Sequence, residues 1–174
     1  MIYIYNDFGG THTTVLAASY HLKKLTEDRE PTDSEVLNLH NFNKLVSKDR
    51  GKLFYHGTDE EGSRVYTVAR GASKILVPGI VNTLAMLVDE HKLEEKIILS
   101  NTSPTVPFPM TIGGFLSRAL KMNTIGVPLI LMGVKQTYQN IIDLVHHTKS
   151  EARAASTQIV VLDNPEMKSK ARIL

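Results

Sequence analysis

Apolar positions along the first half of the chain alternate between two periods, and each change of period marks an element. Ile2-Tyr3-Ile4-Tyr5 is a β-branched and aromatic run that predicts a strand. Asn6-Asp7-Phe8-Gly9-Gly10 ends it as a loop. From Thr11 or Thr13 to about Leu25, the residues Val15, Leu16, Ala18 or Ser19, Leu22 and Leu25 recur at spacings of three and four. That is the period of a helix with one buried stripe, and the threonines supply hydroxyls that could cap its start. Pro31-Thr32-Asp33-Ser34-Glu35 opens a second helix, in which Thr32 and Glu35 have the spacing of a capping box. Two β-rich runs, Leu53-Phe54-Tyr55-His56 and Arg64-Val65-Tyr66-Thr67-Val68, flank a loop with glycine at 57 and 62 and predict a hairpin.

In the second half, Ile75 to Leu93 has a helical period, with Pro78 near the first turn, where proline is tolerated. Lys96 to Ser100 reads as a buried strand. A proline-rich loop, Pro104 to Pro109, leads into a short helix from Ile112 to Leu120. Val127 to Met132 is continuously apolar and predicts another strand. Thr137 to about Arg153 is an amphipathic helix through Tyr138, Ile141, Ile142, Leu144 and Val145, and Gln158 to Leu162 is a final strand. Strands alternating with helices, several of them apolar throughout, predict an α/β fold. The expected architecture is three-layered: a largely parallel sheet with helices on both faces and an antiparallel hairpin at one edge, P-loop-like or Rossmann-like. No repeat or linker interrupts it, so residues 1–174 are expected to form a single α/β domain.

Composition narrows the function classes. The 174 residues are 42% apolar, enough for a sizeable core. The absence of cysteine excludes disulfides, thiolate zinc sites and cysteine nucleophiles. It also suits a reducing, cytoplasmic setting, as does a start with neither a basic stretch nor an apolar leader core. The longest apolar run, Val127 to Val134, falls short of the roughly 20 residues that span a bilayer, so no membrane is expected. Twenty basic and 18 acidic residues give a net charge of +2. The only basic clusters, Lys23-Lys24 and Lys168-Lys170-Arg172, have no interleaved aromatics, and no nucleic-acid partner is expected.

The candidate chemistry begins where the first strand ends. Strand, glycine turn and helix start form an arrangement that binds anions, because glycines allow close approach and the first helical turn leaves N–H groups without partners. On the P-loop pattern, His12 falls where the lysine belongs and Thr13 where the magnesium-binding hydroxyl belongs. Asn6 and Thr11 replace the two defining glycines, so the motif is not a Walker motif. Two readings remain. In one, Gly9, Gly10, Thr11 and Thr13 cradle a phosphate while His12 acts as acid, base or donor. In the other, the glycines merely turn the chain and a threonine caps the helix.

Further segments offer partners for that loop. Asp59 and Glu60, between Gly57 and Gly62, could orient His12 or His56, or position a metal or water, or be a solvated hairpin tip. Arg70 could meet an anion or pair with that tip. Gly113-Gly114 could allow close helix packing, with Arg118 facing the same crevice as His12 and neutralising charge. His146-His147 are adjacent on a helix and make a poor metal pair, and His21, His40 and His91 read as structural. A metal enzyme built on His12, His56 and Asp59 is a third option, with magnesium a cofactor such a loop could take.

Several segments, in order, resemble a family of proteins of unknown function (DUF3189-like) from spore-forming Gram-positive bacteria. They are Tyr5, Phe8-Gly9-Gly10-Thr11-His12-Thr13-Thr14, Ala17-Ala18, Asp28-Arg29-x-Pro31-Thr32, and Gly57-x-Asp59-Glu60-x-Gly62 before Val65-Tyr66. They continue with Ile112-Gly113-Gly114-Phe115-Leu116-Ser117-Arg118, Gly126-x-Pro128 and Tyr138-x-x-Ile141-x-x-Leu144-Val145. The resemblance implies no established activity or cofactor. It implies that the three glycine-bearing segments are family features and that a cysteine often stands near the position held here by Asp7. Together these observations predict a small anionic ligand or nucleotide, handled by a hydrolase or phosphotransferase. The rival is a non-enzymatic regulatory or partner-binding module, sporulation-related and homodimeric, with Val106 and Phe108 on its contact surface.

Overall fold

In the computed structural model, which describes residues 1–168, the opening Tyr–Ile alternation becomes the central strand β1 (Ile2–Asp7), buried from Tyr3 onward. The hairpin forms β2 (Leu53–Thr58) and β3 (Arg64–Ala69), and β4 (Ile97–Asn101) and β5 (Ile159–Leu162) complete a sheet in the order β2-β3-β1-β4-β5. β3 and β4 flank β1 in parallel, β5 runs parallel to β4, and β2 is antiparallel at the edge. Five helices accompany these strands: α1 (Thr13–His21), α2 (Asp33–Asn38), α3 (Leu76–Asp89), α4 (Phe108–Arg118) and α5 (Asn123–Ala154). Lys170 and Arg172 of the C-terminal basic cluster lie outside the described residues.

Strand alternation sorts the core into two layers. Tyr3, Tyr5 and Ile98 pack with Val15 and Leu16 of α1 and Ile130, Ile141 and Leu144 of α5. Ile4 and Leu99 point to the opposite face, beneath Leu76, Ile80 and Leu84 of α3. The mixed sheet, the helices on both faces and the edge hairpin agree with the sequence. The Thr32–Glu35 capping box is present at α2, with the Thr32 side chain accepting from the Glu35 amide.

The largest correction concerns Val127 to Met132. It is no strand but part of α5, a helix of 32 residues that contains Pro128 and absorbs the helix expected from Thr137. A short apolar run fits a buried strand and a buried helix equally well, and a Gly-x-Pro start reads as a break. The deciding period is longer than that run. Gly126, Ile130, Gly133, Thr137, Ile141, Leu144, Thr148 and Ala152 are all buried at spacings of three and four. The proline-rich segment also differs, since α4 begins at Phe108 with Pro109 in its first turn and a 3₁₀ turn spans Ser103–Thr105. α1 stops at His21, one turn before Leu25. The chain leaves β1 toward one face of the sheet and β3 toward the other, so the loops that follow these two strands part at their carboxyl ends.

Candidate functional site

Gly10 has φ +66, and a Cβ there would lie 2.7 Å from the Cβ of Ala69 and 2.8 Å from its backbone nitrogen, so the turn presses directly on the end of β3. Asp7, buried at the end of β1, folds back into this turn. Its carboxylate accepts from the Gly10 amide and, at 2.7 Å, from the Thr13 hydroxyl. Thr13 Oγ1 also lies 3.0 Å from Thr102 Oγ1 just past β4, tying the β1 and β4 loops together. Burial pushes the Asp7 carboxyl above its ordinary value, against the pull of the Gly10 amide, Thr13 and the Arg70 charge. The innermost anion position of the turn is therefore taken by the chain's own carboxylate.

Thr13 does not cap the helix, and neither does Thr11. The N-cap is His12, without a side-chain cap bond. Among the described residues nothing accepts from the N–H groups of Thr13 and Thr14, and the Thr14 hydroxyl is buried without a partner. Arg70 enters the same edge from β3. Its amide donates to the Asp7 carbonyl at 2.8 Å, and its Nη2 donates to Asn101 Oδ1 at 3.2 Å and Ser103 Oγ at 2.9 Å. Its Nε–H is buried with no acceptor, and no described carboxylate pairs with it. Arg70 thus faces the loop after β4 and not the acidic hairpin tip. Beside it Arg50 lies over the Phe8 ring, 5.0 Å from its centroid. Asn101, Thr102 and Ser103 carried no signal beyond being a polar triplet after an apolar strand.

Thr11, His12 and Arg118 do converge, but on a protein loop. Thr11 Oγ1 donates to the Asn41 carbonyl at 2.7 Å and accepts from the Lys44 amide at 3.1 Å. The guanidinium of Arg118 donates to the carbonyls of Asn43, Lys44 and Leu45 at 2.7 to 3.0 Å. These bonds hold Asn41 and Asn43 at φ 68 and 50, backbone that few residues adopt unaided. The donors of Arg118, expected from the sequence to neutralise a ligand, serve backbone carbonyls in this structure. His12 Nε2 lies 3.2 Å from Asn43 Oδ1, and its ring abuts Gly114, where a Cβ would come within 3.2 Å. Burial lowers its pKa to about 4, so the imidazole is neutral at physiological pH.

Asp59 and Glu60 are not brought to His12. Asp59 Oδ2 lies 3.0 Å from Nε2 of His21 at the last residue of α1, and Glu60 pairs with Lys23 on the surface. A nine-residue helix, about 13 Å long, separates them from the His12 end. His21, read from sequence as structural, is the middle of a buried chain in which Nδ1 lies 2.8 Å from the Tyr5 hydroxyl. Burial lowers its pKa to about 4, so the His21–Asp59 contact joins a carboxylate to a neutral imidazole. His56 sits on β2 with Nε2 3.0 Å from Thr67 Oγ1. Among the described residues no three His, Asp or Glu side chains are grouped to hold a metal ion.

Fold and loop contacts together define an α/β protein with a polar, arginine-bearing cluster of side chains at the carboxyl edge of a mostly parallel sheet. The chain belongs to the family described as protein of unknown function (DUF3189), whose model matches residues 2–150. No curated protein and no solved structure matches the chain. The matched region contains every residue of that cluster and stops before β5. No helix among the described residues is long and apolar enough to cross a membrane.

Proposed function

We propose that the protein binds a small phosphate-bearing ligand, a nucleotide or simpler phosphate, at the edge of the sheet between the β1–α1 turn and Arg70. The observation that carries this reading is the buried Arg70 Nε–H, a cationic donor with no acceptor. A buried charged donor left unmade is costly, and a ligand oxygen would relieve it. The first-turn N–H groups of Thr13 and Thr14 are further donors without partners at the same edge, on residues that are themselves buried. Asp7 fills the inner part of the turn, so the phosphate sits outward of it, toward Arg70 and Ser103.

The reading is one of binding ahead of catalysis. A histidine titrating at about 4 is a weak base near neutral pH, so His12 serves as a neutral hydrogen-bonding group. If hydrolysis or phosphoryl transfer follows binding, magnesium would be supplied with the phosphate. Thermal shift and calorimetry with inorganic phosphate, pyrophosphate and ATP, each with and without magnesium, test the reading. At least one should stabilise the protein, Arg70→Ala should abolish that gain, and Asp59→Asn at the other end of α1 should preserve it. An equal gain in Arg70→Ala, or none with any phosphate, overturns it.

A further inference from the structure

The arginines among the described residues divide by what they meet. Arg29, Arg64 and Arg153 each pair with a glutamate, and the guanidinium of Arg118 is spent on backbone carbonyls. Arg50 and Arg70 have no carboxylate within ion-pair distance among the described residues. These two are also neighbours. A Cβ on Gly71 would lie 3.0 Å from Arg50 Cδ, so the Arg50 stem runs over the backbone that follows Arg70. Its guanidinium ends over the Phe8 ring, 5.0 Å from the centroid. Phe8 is tied to the same place through its backbone. Its carbonyl accepts from the Gly71 amide at 3.0 Å, one residue after the Arg70 amide reaches the Asp7 carbonyl at 2.8 Å. Phe8, Arg50 and Arg70 therefore form one group at the carboxyl end of the β1–β3 pair. Although a guanidinium stands over its ring, Phe8 remains 57% exposed.

We infer that Phe8 is a base platform, so that the ligand is a nucleoside phosphate whose base stacks on the open side of the ring while its phosphate meets Arg70. The inference rests on the phosphate reading above and narrows it from phosphates in general to those carrying a flat aromatic base. A simple phosphate or a sugar phosphate engages Arg70 and leaves the Phe8 ring in water. A base removes that apolar area from solvent, and every base has a π-face with which to do so. Arg50 acts in two ways. Its guanidinium attracts the ring and holds it in one orientation before a ligand arrives, which lessens the freedom lost on binding. Its charge, which no described carboxylate offsets, adds to that of Arg70 and favours an anion over a neutral nucleoside.

The chain has no tryptophan, so Phe8→Trp places a single fluorophore at the platform. At least one of AMP and GMP should quench it, and ribose 5-phosphate, which lacks the base, should not. In calorimetry the wild-type chain should bind that nucleotide roughly 5- to 150-fold more tightly than ribose 5-phosphate, the span that stacking on an aromatic side chain ordinarily covers. Phe8→Ala, a change at an exposed ring, should erase this preference and leave the affinity for ribose 5-phosphate as it was, which a purely structural Phe8 would not do. Ribose 5-phosphate bound as tightly as both nucleotides overturns the base platform and leaves the phosphate reading standing. A nucleotide preference that persists in Phe8→Ala also overturns the platform. Nucleotide binding that needs Phe8 but survives Arg70→Ala keeps the platform and overturns the phosphate reading. No binding of any of the three overturns both.

Discussion

Arg118 illustrates how a residue type can be right and its role different. A guanidinium near a glycine turn suggests an anion, yet here its planar fork spans three successive carbonyls and holds a loop whose two asparagines sit in left-handed backbone. Lysine cannot reproduce that fork. Arg118→Lys should therefore lower stability by about 1–3 kcal/mol in chemical denaturation, and should shift the environment of His12, observable by imidazole NMR. Asp7 behaves likewise. It is both the last residue of a strand and the internal acceptor for Gly10 and Thr13. Asp7→Ala leaves those donors unmet and should cost about 1–3 kcal/mol. If Asp7 also limits how deeply a phosphate can enter, the same variant should bind inorganic phosphate more tightly in calorimetry.

At the scale of elements, the informative contrast lies between glycines. Gly126 meets the Ser117 amide nitrogen, where a Cβ would stand at 2.7 Å, whereas a Cβ on Gly79 in α3 meets nothing within 4 Å. Gly126→Ala should force α4 off α5 and destabilise by about 1–3 kcal/mol. Gly79→Ala should stabilise by roughly 0.5–1 kcal/mol, because it removes the entropic weakness of glycine inside a helix. Urea titration of the two variants side by side checks the ordering. The same seam explains why α5 does not show in the local sequence. Local sequence around Val127 gives apolarity without a period, and the helical period emerges only along the whole of the 32-residue helix, in the buried positions from Gly126 to Ala152. The capping box at Thr32 and Glu35, by contrast, was legible because both of its bonds are made within four residues.

For the molecule as a whole, pH dependence follows from three histidines, one buried and two half-buried. Burial holds His12, His21 and His56 at about 4, well below their usual 6.5. Between these values the unfolded chain binds protons that the folded chain does not, so stability falls as pH is lowered from about 6.5 toward 4. Asp59 adds a loss of the same sign at lower pH. Burial tends to raise its pKa, but hydrogen bonds from His21, Ser63 and Glu61 more than offset that and leave the carboxyl below its ordinary value. Each histidine contributes a slope of about 1.4 kcal/mol per pH unit at most. Urea midpoints measured from pH 7 to 4.5 should fall steeply, and His21→Asn should reduce the proton uptake on unfolding by nearly one.

The sequence by itself determined the alternation that sorts β1 between two helical layers, the edge hairpin, the α2 cap and the glycine turn after β1, because each depends on residues close together in the chain. It also supplied the family resemblance that the match over residues 2–150 bears out. Only the tertiary structure decided which polar groups meet. Arg70 joins Asn101 and Ser103 from 31 and 33 residues away, and Asp59 joins His21 from 38. Those encounters are set by strand order and by the length of α1, and neither is written in any local pattern of side chains.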